Sequence, residues 1–161
     1  MALSTKFAPG IPKPHLYLTE GLGSKLWDWS LQGGLRAEQT QVPRLQNFFE
    51  CHRLRVEETF LWEGTSLCPY ETRHVMSSYE YMENYGLLIE SEAVKIFFTG
   101  DTRYCTLPFM MELYEKADLI LQDCETTIGY QSGIHAHFNE LVQLPQEIKA
   151  KMMLYDYNTD F

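Results

Sequence analysis

Lys95-Ile96-Phe97-Phe98-Thr99-Gly100-Asp101-Thr102 decides how this chain is read. A short apolar strand runs straight into Gly-Asp-Thr, which sets a carboxylate at the rim of a sheet, where layered α/β proteins gather their ligands. Gly-Asp also makes ordinary turns, so the tripeptide takes its weight from its surroundings. Upstream stands Thr72-Arg73-His74-Val75. Downstream come a second strand running into Asp123-Cys124-Glu125, then Gly133-Ile134-His135-Ala136-His137, then a last strand ending Leu154-Tyr155-Asp156-Tyr157. His, Asp and His at successive strand ends are how a layered domain assembles metal donors from distant sequence.

From about Pro14 to Tyr157 this pattern resembles the later part of a metallo-β-lactamase-fold hydrolase, nearest its ribonuclease Z and phosphodiesterase-like branch. The resemblance implies an α/β fold, the C-terminal portion of an αββα sandwich. It assigns His74 to a lone metal-binding His and Asp101 to a carboxylate bridging two metals. His135 takes the place of a branch-specific catalytic His, with Glu140 and Leu141 at the expected offsets. Two departures stand beside these matches. No His-x-His-x-Asp-His occurs in the sequence, and Asp156 stands where a terminal His is expected. Zn2+ or Mn2+ serves the intact family, and this chain is expected to hold it partially or not at all.

With 161 residues, 45% of them hydrophobic, the composition suits one globular domain with a real core. The resemblance makes it a single incomplete domain over 1–161, with an irregular arm at 1–14. Its start at Met1-Ala2-Leu3 reads as an internal start or a truncation. The formal net charge of −9 excludes a domain-wide basic field, so structured nucleic acid is disfavoured and a small phosphodiester or nucleotide substrate fits better. Cys51, Cys68, Cys105 and Cys124 form no Cys-x-x-Cys pair, which excludes zinc-ribbon and thioredoxin-like readings. The absence of a signal peptide and of a long apolar run predicts a cytoplasmic protein.

Along the chain, His15–Leu18 reads as a strand, and Thr19 or Ser24 as the cap of a helix over 24–31 that Gly33-Gly34 ends. Residues 44–51 read as a short helix or turn, and 53–62 as partly strand-like. Arg73–Ser78 is extended; Tyr85–Glu90 and Val94–Thr99 form a hairpin. A helix near 106–116, a buried strand at 119–121, a loop at 126–134, a helix at 138–144 and a strand at 152–155 complete the α/β alternation.

Each candidate residue has a plainer reading beside the functional one. His74 is a metal ligand or a hydrogen-bonded loop His. Asp101 is a ligand or a carboxylate satisfied by Thr102 and nearby N–H groups. His135 is a general acid that protonates a leaving oxygen, or a loop His before the 138–144 helix, with His137 as second choice. Asp156 is an oxygen ligand or a substitution that removes metal affinity. Glu125 follows its strand as the acidic residues that orient the catalytic His do in the resembling family. His15 and His52 read as structural or exposed. Tyr79, Tyr81 and Tyr85 stack a base or pack an edge.

Two functions follow. One is a metal-dependent phosphodiester hydrolase fragment, weak or inactive alone, its missing donors supplied by a complementing N-terminal chain. The other is a non-catalytic remnant or interaction subunit that needs a partner chain or self-association.

Overall fold

The structure, a computed structural model, describes residues 10–35, 42–75 and 82–157. Most of the expected irregular arm, the end of the extended 73–78 segment, and Tyr79 and Tyr81 lie outside the described residues. The chain divides into two compact units, Met1–Arg55 and Val56–Phe161.

In the first unit, β1 (His15–Thr19) pairs in parallel with β2 (Glu50–Leu54), with His15 opposite Glu50 and Tyr17 opposite His52. Thr19 ends the strand and caps α1 (Glu20–Lys25), its Oγ1 accepting from the N–H of Leu22. Of the two caps that the sequence offers, Thr19 wins and Ser24 lies inside the helix. The helix widens into a π-helical stretch, Leu26–Leu31, and recovers as α2 (Gln32–Leu35). Gly33 and Gly34 therefore do not stop it. Neither adopts the left-handed φ of a helix-ending glycine. A short α3 (Leu45–Phe48) buries Leu45 and Phe48, and the Arg44 N–H ahead of it donates to Asn47 Oδ1 at 2.7 Å.

The second unit is a six-stranded sheet whose spatial order follows the sequence, β3 to β8. β3 (Phe60–Trp62) and β4 (Thr65–Thr72) form a hairpin across Glu63-Gly64. Both turn residues have positive φ, 47° and 82°, as a two-residue turn of primed type requires. The sequence reading left 65–72 unassigned, and β4 carries a proline at its centre, Pro69. The proline lies beyond the last residue that β3 reaches, so the absent N–H costs no bond to β3, and its carbonyl accepts from the Glu57 N–H at 2.8 Å. β5 (Asn84–Glu90) and β6 (Lys95–Phe98) continue the antiparallel run, as the hairpin prediction required.

From β6 onward the pairing turns parallel. β7 (Leu119–Asp123) joins β6 after a crossover through α4 (Pro108–Lys116). β8 (Met152–Tyr155) joins β7 after α5 (Phe138–Leu141) and α6 (Gln146–Lys149). Met110, Leu113 and Tyr114 of α4 recur at helical spacing and pack with Phe97, Ile120, Leu141, Leu144 and Ile148 in the core. Each large apolar side chain in that set contributes about 1.5–3 kcal/mol. The one polar group there is satisfied: Tyr114 donates to Gln122 Oε1 at 2.7 Å. Among the described residues no helix is long and apolar enough to cross a membrane.

Candidate active site

The sheet's pairing places four strand ends on one edge. β4 is antiparallel to β5 and β5 to β6, so β4 runs in the direction of β6, β7 and β8. Their C-terminal ends deliver, in sheet order, His74 just past β4, Asp101 just past β6, Asp123 at the end of β7 and Asp156 just past β8. Crevices outside the carboxyl ends of such strands are where open α/β sheets bind ligands.

Thr102 ties three of these ends together. Its N–H donates to Asp123 Oδ2 at 2.8 Å, and its Oγ1 donates to the Arg73 carbonyl at 3.0 Å. The Asp123 N–H donates in turn to Thr99 Oγ1 at 3.1 Å. Gly100 permits the bend between them: its φ is +62°, and a Cβ there would meet the Tyr85 carbonyl oxygen at 2.5 Å. Asp156 takes φ 59°, a left-handed conformation that Asp tolerates better than most residues.

Asp123 is fully buried, and its Oδ2 accepts from His135 Nδ1 at 2.7 Å. Burial pushes its carboxyl pKa up; the bonds from Thr102 and His135 and the charge of His135 pull it back, and Asp101 pushes it up again. The Tyr155 phenol reports the same crowding. Burial, against the hydrogen bond with Thr99 and with the negative charges of Asp123, Asp101 and Asp156, pushes it up to about 12. Its OH donates to the Gly100 carbonyl at 2.7 Å.

The loop after β7 brings His135 in. Glu125 and His137 form a parallel bridge, with Glu125 N–H on Ala136 O and Phe138 N–H on Glu125 O. In that extended run, neighbours face opposite ways. His135 faces Asp123. His137 faces away, its Nε2–H on Thr127 O at 3.0 Å and its Nδ1 accepting from the Asn139 N–H as the cap of α5. Glu140 completes that cap, accepting from the His137 N–H at 2.9 Å.

The carboxylate expected beside His135 was Glu125; the one that touches it is Asp123. Glu125 instead accepts from the Ser132 N–H and Oγ–H at 2.9 and 2.7 Å, clamping the 126–134 loop. The reason is distance along the chain: Asp123 is still in β7 beside Thr102, whereas Glu125 has passed the strand end and turned with the loop. Asp123 went unassigned although it stood in view as the last residue of a buried strand, and that position was the available signal.

His74 donates from Nδ1 to the Ile134 carbonyl at 2.9 Å, since a carbonyl only accepts. In the neutral ring this leaves the Nε2 lone pair free, the tautomer in which an imidazole binds a metal. The rings of His74 and His135 meet edge to face at 4.8 Å. Asp101 is exposed, and its backbone carbonyl accepts from Asn84 Nδ2. A small cleft of about 70 Å3 beside His135 is lined by Arg103, Tyr104, Gln131, Gly133 and Glu140. Arg73 and Arg103 line a neighbouring groove of about 300 Å3.

Asp123 Oδ1 is buried and accepts no hydrogen bond among the described residues, an orphan acceptor of the kind a cation satisfies. Asp123, His135 and Asp156 offer ligand atoms within 4.8 Å of one another. Two carboxylates and an imidazole suit Zn2+ or Mn2+. The two carboxylates fit one such cation, with the imidazole coming from His135 in the cluster or from His74, whose ring meets that of His135. Asp101, exposed past β6, lies outside that cluster.

This geometry agrees with solved relatives in fold. The metallo-beta-lactamase fold protein YhfI from Bacillus subtilis superposes with a TM-score of 0.63 at 14% identity, over 97% of this chain and 57% of that one. A diphosphatase from the PhnP family gives 0.64 at 18% identity, over 94% and 50%. The fold is thus the metallo-β-lactamase one that the motifs implied. By sequence, the chain is 28% identical over 169 residues to the Anti-Pycsar protein Apyc1 of Bacillus phage vB_BsuM-Goe3, covering 98% of this chain and 61% of that protein. The chain therefore spans about three fifths of the length of such a relative. A narrower assignment than the ribonuclease Z and phosphodiesterase-like branch follows, because a family model matches residues 1–161: the chain belongs to the family described as Anti-Pycsar protein Apyc1.

Proposed function

We propose that this chain carries the leaving-group side of a metal-dependent phosphodiesterase site and has weak or no activity by itself. The observation that carries the reading is the pair of buried Asp123 and half-buried His135, 2.7 Å apart, with Asp156 beside it at the ligand-binding edge of the sheet.

Asp123 accepts the Nδ1 proton of His135 and so fixes which nitrogen faces outward. Protonated His135 then offers Nε2–H to the ester oxygen that departs. As water oxygen bonds to phosphorus and the ester P–O bond breaks, that proton passes to the leaving oxygen. Arg103, lining the cleft beside His135, supplies a cation for the phosphate. Asp123, Asp156 and His74 would hold a divalent ion, which would supply Lewis acidity and acidify the attacking water, leaving His135 outside the ligand set. The chain's net charge of −9 and the small clefts favour a nucleotide-sized phosphodiester over a long nucleic acid. A role against a Pycsar system, the one its relatives are named for, belongs to this proposal and does not stand apart from it.

The donor count carries the second half of the proposal: activity needs further ligands, from elsewhere in a longer protein or from a partner. β3 is an edge strand with Leu61 and Trp62 exposed, which gives a partner chain a place to pair and keeps the interaction-subunit reading alive.

The test is hydrolysis of bis(p-nitrophenyl) phosphate and of 3′,5′-cyclic nucleotides by the purified chain, with and without Zn2+ or Mn2+. At most slow, metal-dependent turnover is expected, lost in His135→Ala. Turnover unchanged in that variant removes the general-acid assignment. Rapid turnover with two bound ions per chain removes the claim that donors are lacking.

A further inference from the structure

His15, Glu50 and His52 form a second cluster, in the first unit, that the active-site reading leaves unused. Strand register builds it. β1 and β2 run parallel with His15 opposite Glu50 and Tyr17 opposite His52, so residues two apart on each strand fall on one face of the ladder. His15 Nδ1 lies 2.7 Å from His52 Nε2, and His15 Nε2 lies 3.8 Å from Glu50 Oε2. One ligand atom from each of the three residues falls within 4.8 Å of the others. Tyr17 stacks on the His52 ring at 4.4 Å and 14°, and the His15 ring lies nearly coplanar with His52, edge to edge at 5.0 Å and 16°, so that the two nitrogens face each other.

We propose that His15, His52 and Glu50 bind a divalent transition metal, Zn2+ foremost, with water in the fourth position. Two imidazoles and a carboxylate are the ligand set of an open zinc site. The two rings cannot both be protonated at facing nitrogens 2.7 Å apart, so at least one of them presents a lone pair there. A metal takes the place of the single proton between them and releases it. Zinc–nitrogen bonds of about 2.05 Å at the tetrahedral angle set the nitrogens about 3.3 Å apart, so the rings need part by only about 0.6 Å. His15 and Glu50 are exposed, which gives the ion a direct route in. No residue of the Asp123–His135 site takes part, so the two proposals stand or fall separately.

The test uses the whole chain. Co2+ is titrated while histidine ring resonances are followed by NMR, and Zn2+ affinity is measured by competition with a chromophoric chelator. Wild type and the His15→Gln, His52→Gln and Glu50→Gln variants are compared, as is His135→Ala. Expected are paramagnetic shifts on His15 and His52, and a loss of at least about 10-fold in affinity for each of the first three variants, the scale set by losing even a supporting partner. These shifts persist in His135→Ala. If His52→Gln fails to fold because its stack on Tyr17 is lost, exposed His15→Gln still decides. Unmoved His15 and His52 resonances at millimolar Co2+, or wild-type affinity in His15→Gln, overturn the site.

Discussion

Asp123→Asn separates what the buried carboxylate does for His135 from what it does for the fold. Asparagine has the same shape, and its side-chain oxygen can still accept from the Thr102 N–H, which bonds Asp123 at 2.8 Å. What disappears is the charge. Burial raises the Asp123 carboxyl pKa, so the ionised form is disfavoured in the fold. By linkage, a carboxyl raised in the folded state adds stability below its unfolded value and loses it as pH rises through the folded value, so at neutral pH the ionised group is a burden. Neutral Asn lifts that burden while leaving an amide N–H2 where Oδ1 has no donor, a cost of about 1–3 kcal/mol. The two terms oppose each other, and a stability change within about 1 kcal/mol at pH 7 is expected. At His135 nothing compensates. A charge-assisted bond, worth about 1.5–3 kcal/mol, becomes a neutral one worth about 0.5–1.5, so about 1–2 kcal/mol of preference for the Nδ1–H tautomer goes. That is a factor of about 5–30 in any turnover that needs Nε2 outward. Urea unfolding reads the first number and 15N-detected histidine NMR the second. Asp123→Ala is the reference, because it strands the Thr102 N–H and opens a hole and should cost about 2–4 kcal/mol. The reasoning fails if Asn unfolds as readily as Ala, or if the His135 tautomer is the same in Asn and wild type.

Two further outcomes follow from the same edge of the sheet. Burial pushes the Glu125 carboxyl up, but bonds from Ser132 and Thr127 and the charge of His137 outweigh it and hold the pKa below the usual value. Its stabilisation is therefore present above the unfolded value near 4.5 and lost as pH falls through the lower folded value. Glu125→Gln should flatten the acid limb of a stability–pH curve below about 4.5 and quicken amide exchange in 126–134, while wild-type acid sensitivity in the variant would contradict it. Gly100→Ala pays a left-handed φ of +62° and a 2.5 Å approach to the Tyr85 carbonyl. A loss of at least about 2 kcal/mol in urea unfolding is expected, and a smaller effect than at open Gly33 would be inconsistent with it.

How far the sequence carried depends on whether a signal was local. Gly100-Asp101 was legible because an apolar strand followed by a residue that tolerates left-handed φ is written in consecutive residues. β7 and β8 read equally well, as short apolar runs between helical patterns. β4 did not, because Pro69 argues against a strand unless one knows that β3 stops short of it, and strand pairing lies outside the local sequence. The same limit explains the exchange of Glu125 for Asp123. Both are acids near the end of one strand, and what separates them is whether Thr102, 21 residues back, sits within hydrogen-bond reach. It also hid the His15–Glu50–His52 cluster, whose two histidines are 37 residues apart in sequence and meet through a parallel register that no local pattern encodes. Counting donors, by contrast, needs no geometry. The expected shortage of ligands therefore rests on the sequence, while the placing of the ligands present rests on the structure. Of the acids at the strand ends, Asp123 spends one oxygen on Thr102 and His135, which leaves its Oδ1 for a cation. A second ion would turn to the exposed Asp101 carboxylate and to ligands outside this set.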